Sequence, residues 1–437
     1  MTRDVCSPGR RTAFQIREQV ERGRRLDRAL ESCVRGVEPR ERAFAHELAY
    51  GVTRLRGRLD HLLSPHVHRD LGALDSNLRE ILRLAAYQMF YMNSVPDYAA
   101  VSESVEHVRS LVGRGAAGLA NAVLRKLATT RHDRQAFPDF ESDPVGFLTT
   151  WGSHPSWLIK RWLKRWDRQK VFELVKTNNA RPPVCLAPLR AQAGEALEIL
   201  RMAELHAMPV GYGTECVRLE RSSSPRAALL AMPKSVIQDP ASHLVTCYAN
   251  ISSGMEVADL CAAPGGKALT VATRAWSTLA SDYSESRMRM VRENAERTGV
   301  RVHCVVADAR YPPIISADAI LLDAPCTGTG TLARHPDIRW RLTPDSISTI
   351  TKIQDEMLDS AAPLVREGGL LIYSTCTLEP EENHELVERF LRRNSGFELE
   401  PSDTVNREFL DQNGYLSVHP IKDGRDGSFA ARLRRLN

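Results

Sequence analysis

Short apolar runs alternate with helical segments throughout the second half of the chain. After Ser235 the runs lie at 255–260, 278–281, 301–307, 319–322, 369–374, 415–419 and 428–433, and helical periodicity lies between or after the first five. Uninterrupted apolar strands joined by helices are typical of a parallel sheet that is covered on both faces. The pattern therefore predicts a doubly wound, mostly parallel α/β sheet of seven strands, Rossmann-like in class, over residues 235–437.

The front of the chain has the periodicity of α-helices from residue 13 to about 128. Apolar residues recur there at i, i+3, i+4 spacing, as at Leu48, Val52, Leu55 and Leu59, and Pro, Gly and Asp separate the segments. The spacing predicts an all-α bundle of five or six helices in residues 1–140. Residues 141–234 are predicted to hold a linker and a small α+β subdomain.

A single helix with two opposed faces is predicted over 157–170. One face is apolar, with Ile159, Trp162, Leu163 and Trp166, and the other is basic, with Arg161, Lys164, Arg165 and Arg168. A basic face of this kind is either solvated or in contact with phosphate groups, and the sequence leaves both roles open.

Charge and cysteine usage indicate the kind of partner and the cellular compartment of the protein. The net charge is +5, and residues 1–70 hold fifteen arginines and no lysine against ten acidic residues, which indicates an anionic partner for the front half. The nine cysteines include no C-x-x-C pair, so we predict reduced thiols, no metal site, and an exposed terminal thiol at Cys6. No run of about 18 apolar residues occurs, which predicts a cytoplasmic protein without membrane contact.

A glycine turn follows the first strand of the predicted sheet. It reads Cys261, Ala262, Ala263, Pro264, Gly265, Gly266, Lys267, and a helix begins within it. Because glycine has no side chain and a helix start has free N–H groups, such a turn either holds a nucleotide-like cofactor or is a plain connection. Asp282 ends the second strand, where an acid can bind ribose hydroxyls, and Asp308 ends the third, where it can face an adenine edge.

Two thiols lie just beyond the ends of two further strands. Cys326 follows Asp323-Ala324-Pro325, and Cys376 follows Thr375. Most cysteines are inert core residues, but the carboxyl edge of a parallel sheet is where such folds place their chemistry. Lys267 is either an ordinary first-turn residue or a cation that lowers a thiol pKa or meets a phosphate.

A nucleotide-like cofactor and two thiols in one cleft indicate methyl transfer to carbon 5 of a pyrimidine. C5 of cytosine is a poor nucleophile, and addition of a thiolate to C6 makes the ring an enamine whose C5 can attack an electrophilic methyl group. A second thiol can then assist loss of the C5 proton and of the first thiol. The spacing alone does not tell which cysteine attacks.

These motifs resemble those of a known family, the bacterial 16S rRNA cytosine-C5 methyltransferases of the RsmB (Sun or Fmu) type in the NOP2/Sun group. The resemblance is carried by the turn at 261–267, by 238–242, 322–326 and 374–376, and at the front by 42–51 and 121–125. It implies a NusB-like RNA-binding domain before a class I methyltransferase domain. It also implies S-adenosyl-L-methionine as cofactor, bound by the 261–267 turn with Asp282, Asp308 and Asp323.

The resemblance further implies a role for each site residue. Cys376 is implied as the nucleophile, Cys326 as the residue that assists release, and Asp323 as a ligand of N3 of the target cytosine. The implied partner is 16S rRNA, free or in a partly assembled small subunit and modified at position 967, with a monomeric enzyme and no obligate protein partner. Thr327 stands where the family often has serine.

Other functions remain open at this stage. One is a non-catalytic NusB-like RNA-binding factor, and another is 5-methylcytosine formation at a different rRNA or tRNA site. Amino methylation of adenine or glutamine is disfavoured, because no aromatic residue follows Pro325.

Overall fold

The chain folds into two compact units. A computed structural model describes residues 6–68, 70–130, 137–211, 213–421 and 424–436. The helical unit comprises Met1–Ala180 and Leu332–Leu342, and the sheet unit comprises Arg181–Thr331 and Thr343–Asn437. The observed boundary at residue 180 lies inside the predicted middle segment, and the division at 140 and 234 stays a prediction.

The helical unit is a bundle, and the apolar faces of its first six helices form one core. Its helices up to residue 180 are α1 (Pro8–Glu21), α2 (Leu26–Cys33), α3 (Pro39–Leu63), α4 (Ser76–Tyr91), α5 (Asp97–Leu111), α6 (Arg114–Thr129), α7 (Pro144–Thr150), α8 (Ser156–Leu163) and α9 (Arg168–Asn179). The predicted stripe is the buried face of α3, where Leu48, Val52 and Leu59 are fully buried. Each such side chain stabilises the fold by about 1.5–3 kcal/mol. Asp75 caps α4 by accepting hydrogen bonds from two backbone N–H groups.

The single helix predicted over 157–170 is wrong. The structure has α8 and α9 on either side of a break at 164–167. The break arises because Asp167 caps a new helix, its carboxylate accepting a hydrogen bond from the backbone N–H of Lys170 at 2.9 Å. Trp162 is fully buried, as an apolar-face residue should be, whereas Lys164 and Arg168 are exposed.

Two other predictions for the front of the chain need comment. Cys6 is buried, not exposed, and the guanidinium of Arg11 donates a hydrogen bond to the Cys6 carbonyl at 3.1 Å, which holds this segment against α1. The polar, proline-containing stretch at 131–144 is also predicted to be a linker, and its residues 131–136 lie outside the described residues. Beyond that gap, the Phe137 ring stacks on His61 with ring centroids 4.8 Å apart.

A short segment from late in the sequence completes the helical unit. This strap, Leu332–Leu342, carries Arg339, which is fully buried. The Arg339 guanidinium donates to the carbonyls of Ser153 (3.2 Å), Asn178 (3.0 Å) and Leu332 (3.1 Å) and to Oδ1 of Asn179 (2.8 Å). Because each buried polar group left without its partner costs about 1–3 kcal/mol, these bonds anchor the strap.

The sheet unit begins with a small antiparallel sheet. Its strands are β1 (Val184–Pro188), β2 (Ala207–Gly211), β3 (Thr214–Leu219) and β4 (Ser235–Ile237), in the order β2-β3-β1-β4, with helices α10 (Ala193–Met202) and α11 (Pro225–Ala231). A separate apolar cluster lies between these helices and the sheet, and it includes Leu186, Leu200 and Val217.

The large sheet carries the predicted α/β pattern. Its strands are β5 (Glu256–Asp259), β6 (Ser277–Asp282), β7 (His303–Val306), β8 (Ala317–Asp323), β9 (Val365–Thr375), β10 (Phe397–Leu399), β11 (Leu416–Val418) and β12 (Ser428–Arg435). The order is β10-β12-β9-β8-β5-β6-β7, with β11 paired to β12. The run from β9 to β7 is parallel, and β10, β11 and β12 pair antiparallel.

Helices accompany the large sheet, and its eighth strand was not predicted. The helices of this part of the chain are α12 (Pro240–Ala249), α13 (Gly266–Ala272), α14 (Glu285–Thr298), α15 (Ile338–Arg341, in the strap), α16 (Pro344–Ala361) and α17 (His384–Arg393). The doubly wound, mostly parallel class is confirmed. The extra strand is β10, which is only three residues long and shows no apolar run, because Phe397 and Leu399 flank Glu398.

Candidate active site

Three aspartates end neighbouring strands at one edge of the large sheet. Asp323 ends β8, Asp259 ends β5 and Asp282 ends β6, in the spatial order of those strands. Parallel neighbours place their carboxyl ends at the same edge, which is where such sheets bind ligands. Burial, followed by the charges of Asp259, Asp323 and Asp282, raises the pKa of the Cys261 thiol in the turn that follows β5.

The glycine turn is tied to the neighbouring strand and opens α13. The Ala262 N–H donates to the Ser281 carbonyl at the end of β6, at 2.9 Å. Gly265 has φ +109°, a left-handed conformation that residues other than glycine rarely adopt. A Cβ added at Gly266 would lie 3.0 Å from Nε2 of Gln238. A larger residue at this position would therefore require the Gln238 side chain to move slightly.

Asp308 lies two residues beyond the end of β7 and is held by Arg310. The Arg310 guanidinium donates to Oδ2 of Asp308 at 2.7 Å, and its backbone N–H donates to Oδ1 at 2.9 Å. The side-chain hydrogen bond from Arg310 lowers the pKa of Asp308. The carboxyl group of Asp308 is therefore ionised and fixed in place.

Asp259 is the site residue that sequence reasoning missed. It is almost fully buried, its Oδ1 accepts from the Cys261 N–H at 3.2 Å, and its Oδ2 has no hydrogen-bond partner among the described residues. Burial, then the charge of Asp323, raises the pKa of Asp259 to about 7. The rule that found Asp282 and Asp323 would have found Asp259 as well, had the predicted strand not been extended through the apolar Leu260.

Lys267 forms an ion pair with Asp323 inside the site. Its Nζ lies 2.8 Å from Oδ2 of Asp323. Burial alone would lower the pKa of Lys267, but the carboxylate of Asp323, with further contributions from Asp259 and Cys376, raises it. Lys267 is thus a fixed cation next to Asp323, and the predicted contact of Lys267 with a phosphate stays a prediction.

The two thiols that follow the ends of β8 and β9 lie side by side. Their Sγ atoms are 3.3 Å apart, and the Cys376 N–H approaches Sγ of Cys326 at 3.4 Å. The adjacency follows from the pairing of the strands, because Asp323 on β8 stands opposite Ser374 on β9, and the Ser374 hydroxyl donates to Oδ1 of Asp323 at 2.8 Å. The hydrogen bond with Cys376, then burial, then the charges of Cys376 and Glu382 raise the pKa of Cys326. The raised pKa favours the protonated thiol of Cys326 as long as Sγ of Cys376 is not bonded to a substrate.

Asp259→Asn is expected to stabilise the protein at about pH 8 but not at about pH 4. The folded-state pKa of about 7 lies above the ordinary 3.8, so between these values the folded state holds a proton that the unfolded state has lost, and stability falls as the pH rises. Asparagine cannot ionise, and above pH 7 the variant should gain on the order of 2–4 kcal/mol of unfolding free energy. Chemical unfolding across this pH range measures the difference.

Asp308→Asn is the matched control for that measurement. The pKa of Asp308 is lowered, so the sign is opposite and removal of its charge brings no gain at high pH. A gain in Asp259→Asn that is the same at every pH would contradict a raised pKa.

The described ranges show neither a metal site nor a membrane span. No group of three or more His, Cys, Asp or Glu side chains in them could hold a metal ion. Within the same ranges, no helix combines the length and the apolar character needed to cross a membrane.

The fold and the site together define a class I methyltransferase with a helical domain in front. The sequence model described as 16S rRNA methyltransferase RsmB/F matches residues 248–434, the NusB family model matches 7–129, and the ferredoxin-like domain model of RsmF/B-like methyltransferases matches 154–225. Ribosomal RNA small subunit methyltransferase B of Escherichia fergusonii is 32% identical over 432 residues, which cover 96% of this chain and 97% of the relative. The chain belongs to this family of S-adenosylmethionine-dependent rRNA methyltransferases.

Further relatives agree with this assignment. The protein of the same name from Escherichia coli O157:H7 shows the same identity and coverage. The crystal structure of PH0851 superposes with a TM-score of 0.80 at 25% identity and covers 98% of each chain. NSun6 from Pyrococcus horikoshii, crystallised with SFG, shares the fold with a TM-score of 0.54 at 22% identity, over 65% of this chain and 98% of that one.

The residues at the sheet edge fit S-adenosylmethionine, the cofactor of this enzyme class. Within the described chain, Oδ2 of Asp259 and Oε1 of Gln238 are buried polar atoms without a hydrogen-bond partner, and both residues adjoin the glycine turn. A bound ligand with N–H or O–H donors can satisfy such atoms. The start of α13 supplies backbone N–H groups at the same place.

Proposed function

We propose that this protein methylates carbon 5 of a cytosine in 16S rRNA through a transient bond between Sγ of Cys376 and C6 of the base. The observation that carries the proposal is the pair of sulfur atoms 3.3 Å apart, beside the Lys267 and Asp323 ion pair. One thiol at a sheet edge is commonly inert. Two thiols within reach of one ring, next to a donor site, provide both the bond to C6 and its removal.

We assign the donor site to the 261–267 turn with Asp259, Asp282, Asp308 and Asp323. When bound, S-adenosylmethionine supplies an electrophilic methyl group. The strand-end acids supply acceptors for its hydroxyl and amino groups, and the turn supplies backbone N–H donors.

In the first step, the Cys376 thiolate forms a bond to C6, and the electron pair of the C5–C6 double bond becomes available at C5. Asp323 is assigned to N3 of the cytosine, where a shared proton stabilises the negative charge that the attack creates. Lys267 keeps Asp323 in place through the 2.8 Å ion pair. Together these residues make C5 nucleophilic enough to accept the methyl group.

In the second step, Cys326 accepts the C5 proton and Cys376 leaves C6 as a thiolate, which restores the aromatic ring. While Cys376 is free, its hydrogen bond and its charge raise the pKa of Cys326. Once the sulfur of Cys376 is bonded to carbon, both effects are removed, so Cys326 can lose its own proton to solvent and then accept the C5 proton as a thiolate. The order of bond formation thus prepares Cys326 to act as a base only after Cys376 has reacted.

The RNA is expected to contact the helical unit as well as the catalytic edge. The match of residues 7–129 to the NusB family and the arginine excess of residues 1–70 support this assignment. The relatives are named for the small-subunit rRNA, which supports 16S rRNA as substrate. Position 967 is the nucleotide that the resemblance of the motifs implies. We propose that the enzyme acts as a monomer, without an obligate protein partner.

Bisulfite sequencing of rRNA and tRNA tests the substrate. A strain that lacks this gene should lose one 5-methylcytosine in 16S rRNA, and the wild-type gene should restore it. An unchanged 16S rRNA map would contradict the proposal. Loss of the mark at another rRNA site or in a tRNA would select the alternative substrate with the same chemistry.

A further inference from the structure

A buried carboxylate joins the loop that carries Cys326 to the loop that carries Cys376. Glu382 is fully buried. Its Oε2 accepts from the Thr327 backbone N–H at 2.9 Å, and its Oε1 accepts from the hydroxyl of Thr377 at 3.0 Å and from that of Thr327. Thr327 follows Cys326 and Thr377 follows Cys376. The Glu382 carboxylate is therefore hydrogen-bonded to the residues that come directly after both cysteines.

Asn383 and Gln354 form further hydrogen bonds to the same two loops. Asn383 accepts from the Thr375 hydroxyl at 2.6 Å and donates to the Thr377 carbonyl at 3.0 Å. Gln354 donates to Oε2 of Glu382 at 3.1 Å and to the Pro325 carbonyl at 2.9 Å. The residues on both sides of each cysteine are therefore held by Glu382, Asn383 or Gln354.

The backbone near Cys376 is also closely packed. The Gly330 N–H donates to the Cys376 carbonyl at 3.0 Å, and a Cβ on Gly330 would lie 2.7 Å from that oxygen and 2.9 Å from Cα of Gly427. Neither loop can shift without breaking several buried hydrogen bonds.

Burying a carboxylate has a desolvation cost that a purely structural link would not require. Glu382 makes no ion pair with a lysine or arginine in the described part of the chain, and its burial raises its pKa. An apolar or amide side chain would fill the space without the cost of desolvating a charge. A carboxylate, however, offers two oxygens that can each accept two hydrogen bonds. These four positions match three donors from the two loops and a fourth from Gln354 on α16.

We propose that Glu382 is a positioning residue that, through Thr327 and Thr377, sets the distance between the sulfur atoms of Cys326 and Cys376. The inference rests on the proposed function, because that distance matters only if the two thiols act on one ring. A displacement of about 1 Å in a reacting group can reduce turnover on the order of 10²-fold. Loss of the link should therefore reduce kcat, with little effect on binding of the RNA.

Substitutions at Thr327 test the link with little change of volume. Thr327→Val removes the hydroxyl that bonds Glu382, and Thr327→Ser keeps it. We expect Thr327→Val to lower kcat on the order of 10-fold to 10²-fold, with KM for RNA within about 2-fold of wild type. Thr327→Ser should restore most of the activity. Glu382→Gln retains the shape and one acceptor oxygen, and its kcat should lie between that of Thr327→Val and wild type.

A dithiol probe reports the sulfur geometry without RNA or cofactor. Phenylarsine oxide condenses with two neighbouring thiols to form two As–S bonds and release one water. The full-length wild-type protein should bind it through Cys326 and Cys376, and the background is measured in Cys326→Ala. Thr327→Val should bind the probe at least about 10-fold more weakly than Thr327→Ser, if weaker positioning costs about 1.4 kcal/mol or more.

The two readouts separate this inference from the proposed function. Wild-type kcat and wild-type arsenical affinity in both Thr327→Val and Glu382→Gln would overturn the positioning role. A loss of kcat that tracks a loss of folded protein, with unchanged arsenical affinity in the folded fraction, would also overturn it. If the arsenical results follow the expectation but no variant, wild type included, methylates cytosine, then the positioning of the thiols stands and the proposed reaction fails.

Discussion

Cys376→Ala should reduce methylation of 16S rRNA by on the order of 10⁴-fold or more, because removal of a covalent nucleophile removes the reaction path and leaves only binding and proximity. Alanine cannot add to C6, and C5 of an unactivated cytosine does not attack a methyl group at a useful rate. Transfer of a radiolabelled methyl group from S-adenosylmethionine to RNA, under single-turnover conditions, measures the loss.

The matched control is Cys304→Ala, which removes a half-buried thiol from β7. Its rate should stay within about 2-fold of wild type, since a small substitution away from the reacting groups changes little. Full activity in Cys376→Ala would refute the covalent role of this residue. If Cys376→Ala accumulated the covalent adduct and Cys326→Ala lost activity without one, the two roles would be reversed.

Cys326→Ala should accumulate a covalent complex between the protein and RNA. In this variant Cys376 still adds to C6 and the base is still methylated, but no thiol accepts the C5 proton, so release of Cys376 becomes the slow step. Turnover should fall on the order of 10²-fold to 10⁴-fold, the range in which a positioned proton acceptor contributes. A denaturing gel of protein mixed with labelled RNA should show a shifted band that approaches one RNA per protein.

The double variant Cys326→Ala/Cys376→Ala is the control for this complex and should give no shifted band. Loss of turnover in Cys326→Ala without any covalent complex would mean that Cys326 is needed to form the bond rather than to break it. The second step described above would then be wrong, while the first would be unaffected.

The strands and the places of the candidate residues at the strand ends were predictable, because apolar runs and their terminal polar residues are local signals. Asp282 and Asp323 end β6 and β8, as their positions after apolar runs indicated. The pairing of β8 with β9 then brings Cys326 and Cys376 together, which the parallel topology already implied.

Features that depend on competition between local signals, or on distant contacts, were not predictable. Asp167 interrupts an otherwise continuous amphipathic pattern because its capping bond outweighs continuation of the helix. Glu382 looks like an ordinary surface acid in the sequence, and its role depends on hydrogen bonds to Thr327, 55 positions away. The sequence around Arg339 does not indicate that this residue is buried. Arginine is rarely fully buried, and here burial depends on carbonyl acceptors that are distant in the sequence.

The strap has a consequence for how this enzyme can be taken apart. A fragment that stops at Ala180 would contain all the long helices of the front half yet lack Arg339, and would leave the carbonyls of Ser153 and Asn178 without their donor. Truncation studies and domain exchanges between relatives should therefore transplant Leu332–Leu342 together with the front half. The polypeptide is interleaved, so a single cut cannot yield two complete modules.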